Sequence, residues 1–421
     1  TILKERERVI INFLIIIQVN MKIKTEYAKY LICLLPFLEM PRFGGISYIN
    51  NFFLIWKIIS TVIVCLMIFT KGKLNKLDIV LMMYCGTLIF STVINQGEVM
   101  DSISDALAIL VPFLLIEFYK KHFSLKKLVM PIIVLISFYG IVTIFQIVKF
   151  PFYIFTIQGM RDNFSYMWSD SYGEIFALGS LKRFGFMLIP ALVFTLLVEY
   201  PKRKTLKAKM CIIGMSALSL FLLIYSWSIA SLFTVIEILI LYCLVGKKIF
   251  SNCIKIINAK AIFFFFLCTN YLLIMTPFID KFNGILSLFG KSTNLSGRTY
   301  VWERAVQYII NKPLLGYGIN RQLTASNFWS LVHMHNLLLN SAYEGGMIGL
   351  IFMILILYLL SKSLSNNCEQ PEKKILAIAL LGVFILAFAD TPEYNVIFMM
   401  FPFMYSENGT RRKEKIKWKK F

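Results

Sequence analysis

Apolar runs that approach or cross the thickness of a bilayer recur along this chain, with short polar links between them. They fall at 26–39, 51–70, 79–95, 102–118, 128–148, 184–199, 210–226, 229–246, 261–278, 346–361, 375–389 and 394–406, the first and last being short. Such runs suit helices sheathed by lipid or by one another. The expected fold is all-α, a polytopic membrane protein of about 12 transmembrane helices with two larger exterior loops. The expected division is an N-terminal segment (1–25), a transmembrane bundle (26–278) interrupted by an exterior loop near 149–182, and a large exterior loop (279–345). C-terminal transmembrane helices (346–406) and a basic tail (407–421) complete it.

Composition agrees: of 421 residues 58% are hydrophobic and 16% charged, more apolar surface than a soluble domain of that length can hide. The net charge of +21 invites a nucleic-acid reading, but its distribution rejects one. Lys and Arg gather in short loops, at 71–78, 120–127, 201–209, 246–260 and 361–374, and in the tail. The alternate short links, such as 95–101 and 390–395, carry neither. By the positive-inside rule the basic loops and both termini are cytoplasmic; the tail serves as a topology signal, with anionic headgroups in reach. The eight cysteines lie in or beside spans or in cytoplasmic loops, so no structural disulfide is expected. Residues 1–20 are basic, then apolar over too short a run to span, and Met21 reads as the working start.

The second long loop holds the densest candidate chemistry. Ser296 can cap a helix running from Gly297 or Arg298 to about Asn311, with Pro313 just beyond. Tyr300, Val301, Ala305, Ile309 and Ile310 are expected near one face, with Trp302 beside it, resting on the membrane domain or its surface. Arg298 stands in the first turn, where the macrodipole disfavours a cation, which suggests an anionic partner; the bland alternative is an arginine snorkelling to headgroups. Arg304 reads as a solvated or headgroup contact. Gly316-Tyr317-Gly318 completes no dinucleotide or phosphate-loop fingerprint, so its glycines point to a tight turn bringing backbone close to something. His335-Asn336 opens a further helix leading into the span at Met347. His333 and His335 point apart and form no metal motif, and neither exterior loop has the acidic pair that would hold a divalent metal on a nucleotide. A neutral imidazole there could accept a proton from, or orient, a sugar hydroxyl. Ser341 to Gly349 is rich in small residues suited to close helix packing, and Glu344 is an ionisable group at a helix entrance. Arg183 sits where the first loop meets a span and could turn inward or snorkel.

Ser296-Gly297-Arg298, Trp302 four residues after that arginine, Pro313-Leu-Leu-Gly-Tyr-Gly318, His335-Asn336 and Glu344-Gly-Gly-x-x-Gly349 together resemble the signature of the O-antigen ligase and polymerase superfamily. The resemblance is specific over about 280–350 and weaker over 178–195. There Arg183 and Gly185-Phe186 match, but Ala191 stands after Pro190 where the family carries Asn. The resemblance implies a bacterial cytoplasmic-membrane glycosyltransferase of the GT-C type. It would take a polyprenyl-diphosphate-linked glycan donor to an acceptor hydroxyl on the outer face, without cofactor or metal and with inversion. Carried over by position, Arg183 and Arg298 hold the diphosphate, His335 assists the attacking hydroxyl and Asn336 positions it. Arg304, Gly316, Tyr317, Gly318 and Glu344 stand as further substrate contacts. Membrane lipids are implied partners, and a chain-length regulator and a flippase are partners to look for.

Within the superfamily a repeat-unit polymerase is favoured over a ligase that passes finished polymer to its acceptor. From another class, a lipid-linked oligosaccharide flippase or ion-coupled transporter would bury ionisable groups mid-span, where only Lys57, Asp105 and Glu237 stand out. A scaffold would leave the two arginines and the histidine unexplained.

Overall fold

The computed structural model describes residues 23–40, 47–148, 176–245, 259–275, 298–328, 334–366, 370–389, 391 and 395–406. Residues 1–22 with Met21, most of the first long loop, Ser296, Gly297, His333 and the tail lie outside the described residues.

Regular secondary structure among the described residues is all helical, apart from one antiparallel bridge between Phe176 and Gly179. Helix α1 (23–34) continues into a tight turn at Leu35–Leu38. There follow α2 (Ser47–Lys71), α3 (Lys76–Ile94), α4 (Val99–Tyr119), α5 (Leu125–Ile147), α6 (Phe184–Glu199), α7 (Leu206–Tyr225), α8 (Ile229–Leu244) and α9 (Ala259–Met275). Then come α10 (Arg298–Asn311), α11 (Arg321–Asn327), α12 (Leu337–Ser365), α13 (Pro371–Ala389), α14 (Asn395–Phe398) and α15 (Phe401–Met404). Seven of them, α2 to α7 and α12, are long and apolar enough to cross a membrane, and α8 and α9 are shorter apolar helices. Local chemistry sets the starts. Asn75 and Asp78 form a reciprocal capping box on α3, and Thr205 caps α7 by accepting from Ala208 N–H.

Contacts sort the helix ends into two groups, as the lysine pattern requires. At the lysine-rich end Tyr27 donates to the Lys127 carbonyl, Tyr119 to the Glu26 carboxylate, and Lys260 N–H to Ser365 Oγ. At the opposite end Glu98 N–H donates to the Ile319 carbonyl, Ala177 N–H to Gln146 Oε1, and Asn336 Nδ2 to Asn270 Oδ1. Helix α6 is the hub, with most of its length enclosed by α5, α7, α8 and α13.

The expected span at 394–406 takes a different form. It is broken into α14 and α15, with Val396, Ile397, Met399, Met400 and Met404 wholly enclosed. Carbonyls that a broken helix leaves open at its end are taken up by lysines: Lys120 Nζ donates to those of Pro402 and Tyr405, and Lys373 Nζ to that of Phe403. A hydropathy run reports burial, and burial inside protein tolerates backbone that lipid would not. The span expected at 346–361 is the second part of α12, which starts earlier and breaks at Gly346. Of the ionisable groups within spans, Lys57 pairs with Glu39 at 2.5 Å and Asp105 with Arg321 at 3.3 Å. Both Glu237 carboxylate oxygens are buried without a hydrogen-bond partner among the described residues.

Candidate functional site

The candidate site lies at the end opposite the lysines, where α10 packs across α12 and α9. At 100° per residue Trp302, Ala305 and Ile309 share one face of α10, flanked by Val301 and Val306. That face is the buried one: Val301, Trp302 and Ala305 are enclosed, while Ile309 and Val306 pack partly against them. Tyr300 and Ile310, expected there from sequence, are 59% and 69% exposed: Tyr300 stands about 160° round the helix from Trp302 and Ile310 lies in the last turn, past the enclosed stretch from Val301 to Ala305. Arg298 shares the buried face one turn before Trp302 and is half-buried. Arg304 points to the other side, its guanidinium 5.8 Å from the Tyr308 ring centre.

Trp302 fastens this helix to the histidine segment. Its indole donates to the Met334 carbonyl at 3.1 Å, and its ring meets Phe388 edge-on at 5.7 Å. His335 follows with φ +50, a left-handed conformation costing about 1–2 kcal/mol for a residue with a Cβ. Asn336 holds it there. Its Oδ1 caps α12 by accepting from Leu338 and Leu339 N–H, while Nδ2 donates to Asn270 Oδ1 and the Phe388 carbonyl. Asn336 is fully buried and its side chain is committed on both sides.

Helix α12 then breaks at Gly346 (φ 61, ψ −162), which leaves carbonyls before it and amides after it without helical partners. The strip 313–318 replaces those partners. Tyr317 N–H donates to the Tyr343 carbonyl at 2.8 Å and Gly318 N–H to that of Glu344 at 2.9 Å, while Met347 N–H donates to the Pro313 carbonyl at 2.7 Å. Such contact demands bare backbone: a Cβ on Gly316 would lie 2.3 Å from the Tyr343 carbonyl oxygen, and one on Gly318 2.4 Å from Thr92 Cα. The "something" approached by these glycines is the broken helix and the end of α3. Tyr317 stacks on Tyr343 at 5.0 Å, with Lys312 Nζ 4.7 Å from its ring centre. Burial, then the neighbouring Tyr308, pushes the Tyr317 phenol above its ordinary pKa, so it is a neutral hydrogen-bonding group.

Arg183 is half-buried at the start of α6, one helix removed. Helix α6 packs on α13, whose last turn carries Phe388 between Trp302 and Asn336. Arg183 and Arg298 thus each stand at a helix N-terminus, where guanidinium and macrodipole both favour an anion. Glu344 is half-buried just before the break. Sequence reasoning missed Asn270 and Phe388, and with them Ser91, Thr92 and Asn95 of the α3 end. An amide inside the apolar run 261–278 was the available signal for Asn270.

Residues 171–354, which include Arg183, Arg298, Arg304, Gly316 to Gly318, His335, Asn336 and Glu344 but not Phe388 or the α3 end, match the family model described as O-antigen ligase. The chain is also 28% identical over 138 residues to the exopolysaccharide production protein ExoQ of Rhizobium meliloti (strain 1021), a match covering 28% of this chain and 32% of that protein. The similarity therefore spans about a third of the relative's length. No solved structure matches. Over 171–354 this chain is thus similar to the O-antigen ligase family, and its helices have the length and apolarity of a polytopic membrane protein.

Proposed function

We propose that the chain is a polysaccharide repeat-unit polymerase of the bacterial cytoplasmic membrane. It takes an oligosaccharide block from a polyprenyl diphosphate and joins it to the next lipid-linked block on the outer face, with both chain termini in the cytoplasm. Arg183 and Arg298 neutralise the diphosphate, on which charge grows as the sugar–phosphate bond breaks. His335 takes the proton of the attacking hydroxyl, and in-line attack inverts the anomeric carbon. Asn336 positions the histidine. Arg304, Glu344 and the Gly316-Tyr317-Gly318 strip border the substrate path. Fixed cations perform the charge stabilisation that a metal performs elsewhere, and no cofactor enters. A chain-length regulator and a flippase are the partners such a reaction calls for.

The observation that supports this reading is the bond from Trp302, one turn after Arg298 on the same helix face, to the carbonyl of Met334, the residue before His335. A ligase passing finished polymer to a final acceptor is the second reading, favoured by the family's own description. Replacing Arg298 with alanine in the host, at matched membrane levels, separates them on a gel of surface polysaccharide. The polymerase reading expects collapse to single lipid-linked repeat units. Full-length polymer held on its lipid carrier would favour the ligase. An unchanged ladder would remove Arg298 from the chemistry and the reading with it.

A further inference from the structure

The break at Gly346 separates nine residues of α12, Leu337 to Gly345, from the long span that follows. This half-helix is about 13 Å long and carries His335 at its head. Helical continuity with the span does not fix its tilt; lateral bonds do. One clamp is the Asn336–Asn270–Phe388 set at the head. The other lies at the tail, on the last turn of α3, which the proposed chemistry does not use. There Ser91 Oγ donates toward the Leu315 and Glu344 carbonyls, the latter at 2.8 Å. Asn95 Nδ2 donates to the Gly316 carbonyl at 3.0 Å, and its Oδ1 accepts from Lys312 Nζ at 2.6 Å. Thr92 Oγ1 accepts from Ile319 N–H at 2.8 Å. Lower on α3, Tyr84 and Ser341 hydroxyls lie 3.2 Å apart against the half-helix itself.

We infer that Asn95 and Ser91 are positioning residues for the transfer reaction. By binding the 315–316 carbonyls and the Glu344 carbonyl at once, they lock the glycine strip onto the break and so set where the half-helix points His335. Neither side chain touches the reacting atoms. Asn95 carries the larger share of the testable effect, since its Nδ2 donates directly to the Gly316 carbonyl of the strip, while Lys312 only reaches its Oδ1 from outside. The inference rests on the polymerase reading above.

The test uses the full-length protein in proteoliposomes, fed with lipid-linked repeat units extracted from the Arg298→Ala host. Asn95→Leu removes both bonds. Asn95→Asp keeps the shape and the Lys312 contact but cannot donate to Gly316, which guards against a variant that fails to fold. Lys312→Met keeps the Asn95–Gly316 bond. Misplacement of a catalytic group by around 1 Å costs on the order of a hundredfold, so kcat should fall between about ten- and a hundredfold in both Asn95 variants. KM should hardly move, the melting temperature of the Asn95 variants should fall by a few degrees with the protein still folded at the assay temperature, and Lys312→Met should keep its turnover. Wild-type kcat in Asn95→Asp overturns the positioning role. So does a fall in kcat that merely follows the fraction of folded protein. If the Arg298→Ala host accumulates no lipid-linked units, the polymerase reading fails and takes this inference with it. Accumulation together with normal Asn95 variants sinks the inference alone.

Discussion

Gly346→Ala is the sharpest test of how α12 is built. Its φ of 61 with ψ −162 lies in a region open to glycine alone, and forcing alanine into it costs about 1–3 kcal/mol. The added Cβ would also sit 2.2 Å from the Leu314 carbonyl oxygen and 2.5 Å from Leu315 N, so the strip must move. That movement opens the Met347–Pro313 bond and loosens the Tyr317–Tyr343 bond, and each buried group left unsatisfied costs about 1–3 kcal/mol. Allowing for partial relaxation, the loss is about 3–6 kcal/mol. The measurement is thermal unfolding of purified protein in one detergent, with Gly86→Ala and Gly214→Ala as controls. Neither control glycine has an atom within 4 Å of the added Cβ, and both stand inside helices, so alanine there should be neutral or stabilising by up to about 1 kcal/mol. If Gly346→Ala melts with the controls, the break and its lacing are not as described.

The head of the half-helix should be as sensitive. Asn336→Ala removes the cap and orphans Asn270, costing about 1–2 kcal/mol for the cap alone, and should abolish polymer on the gel even where protein remains in the membrane. Trp302→Phe keeps the ring beside Phe388 but deletes the donation to Met334, so it should cost about 1–3 kcal/mol in melting and lower turnover; unchanged turnover would uncouple α10 from His335. Arg321→Ala breaks contacts to Asp101 and Asp105, but all three side chains are about half exposed, so stability should change by less than about 1 kcal/mol and polymer length not at all.

Much of this molecule was legible in one dimension. Apolar runs located helices because lipid and protein interiors alike exclude unpaired backbone, and the lysine loops sorted their ends because charge does not cross a bilayer freely. Local stop signals placed α10 at Arg298–Asn311, with Pro313 beyond, and the Asn336 cap set the start of α12. Small residues from Ser341 to Gly349 read correctly as close packing, since Ser341 meets Tyr84 and a Cβ on Gly345 would touch Leu88. What the glycines approach was not legible. Ser91 and Leu315 are 224 residues apart, and Asn95 and Gly316 221, so no local pattern announces their bonds. Nor does hydropathy distinguish Gly346 at a helix break from Gly345 within a helix, because the distinction is a backbone angle stabilised only by partners from another segment. The same holds at 395–404, where enclosure by the bundle and two lysines supports backbone that the sequence pattern reads as one span. Local chemistry therefore determined which residues are helical and which end of the bundle carries the arginines and the histidine. Tertiary structure decided how the interrupted helix is held, because a broken helix leaves its hydrogen bonds to be completed from elsewhere in the chain.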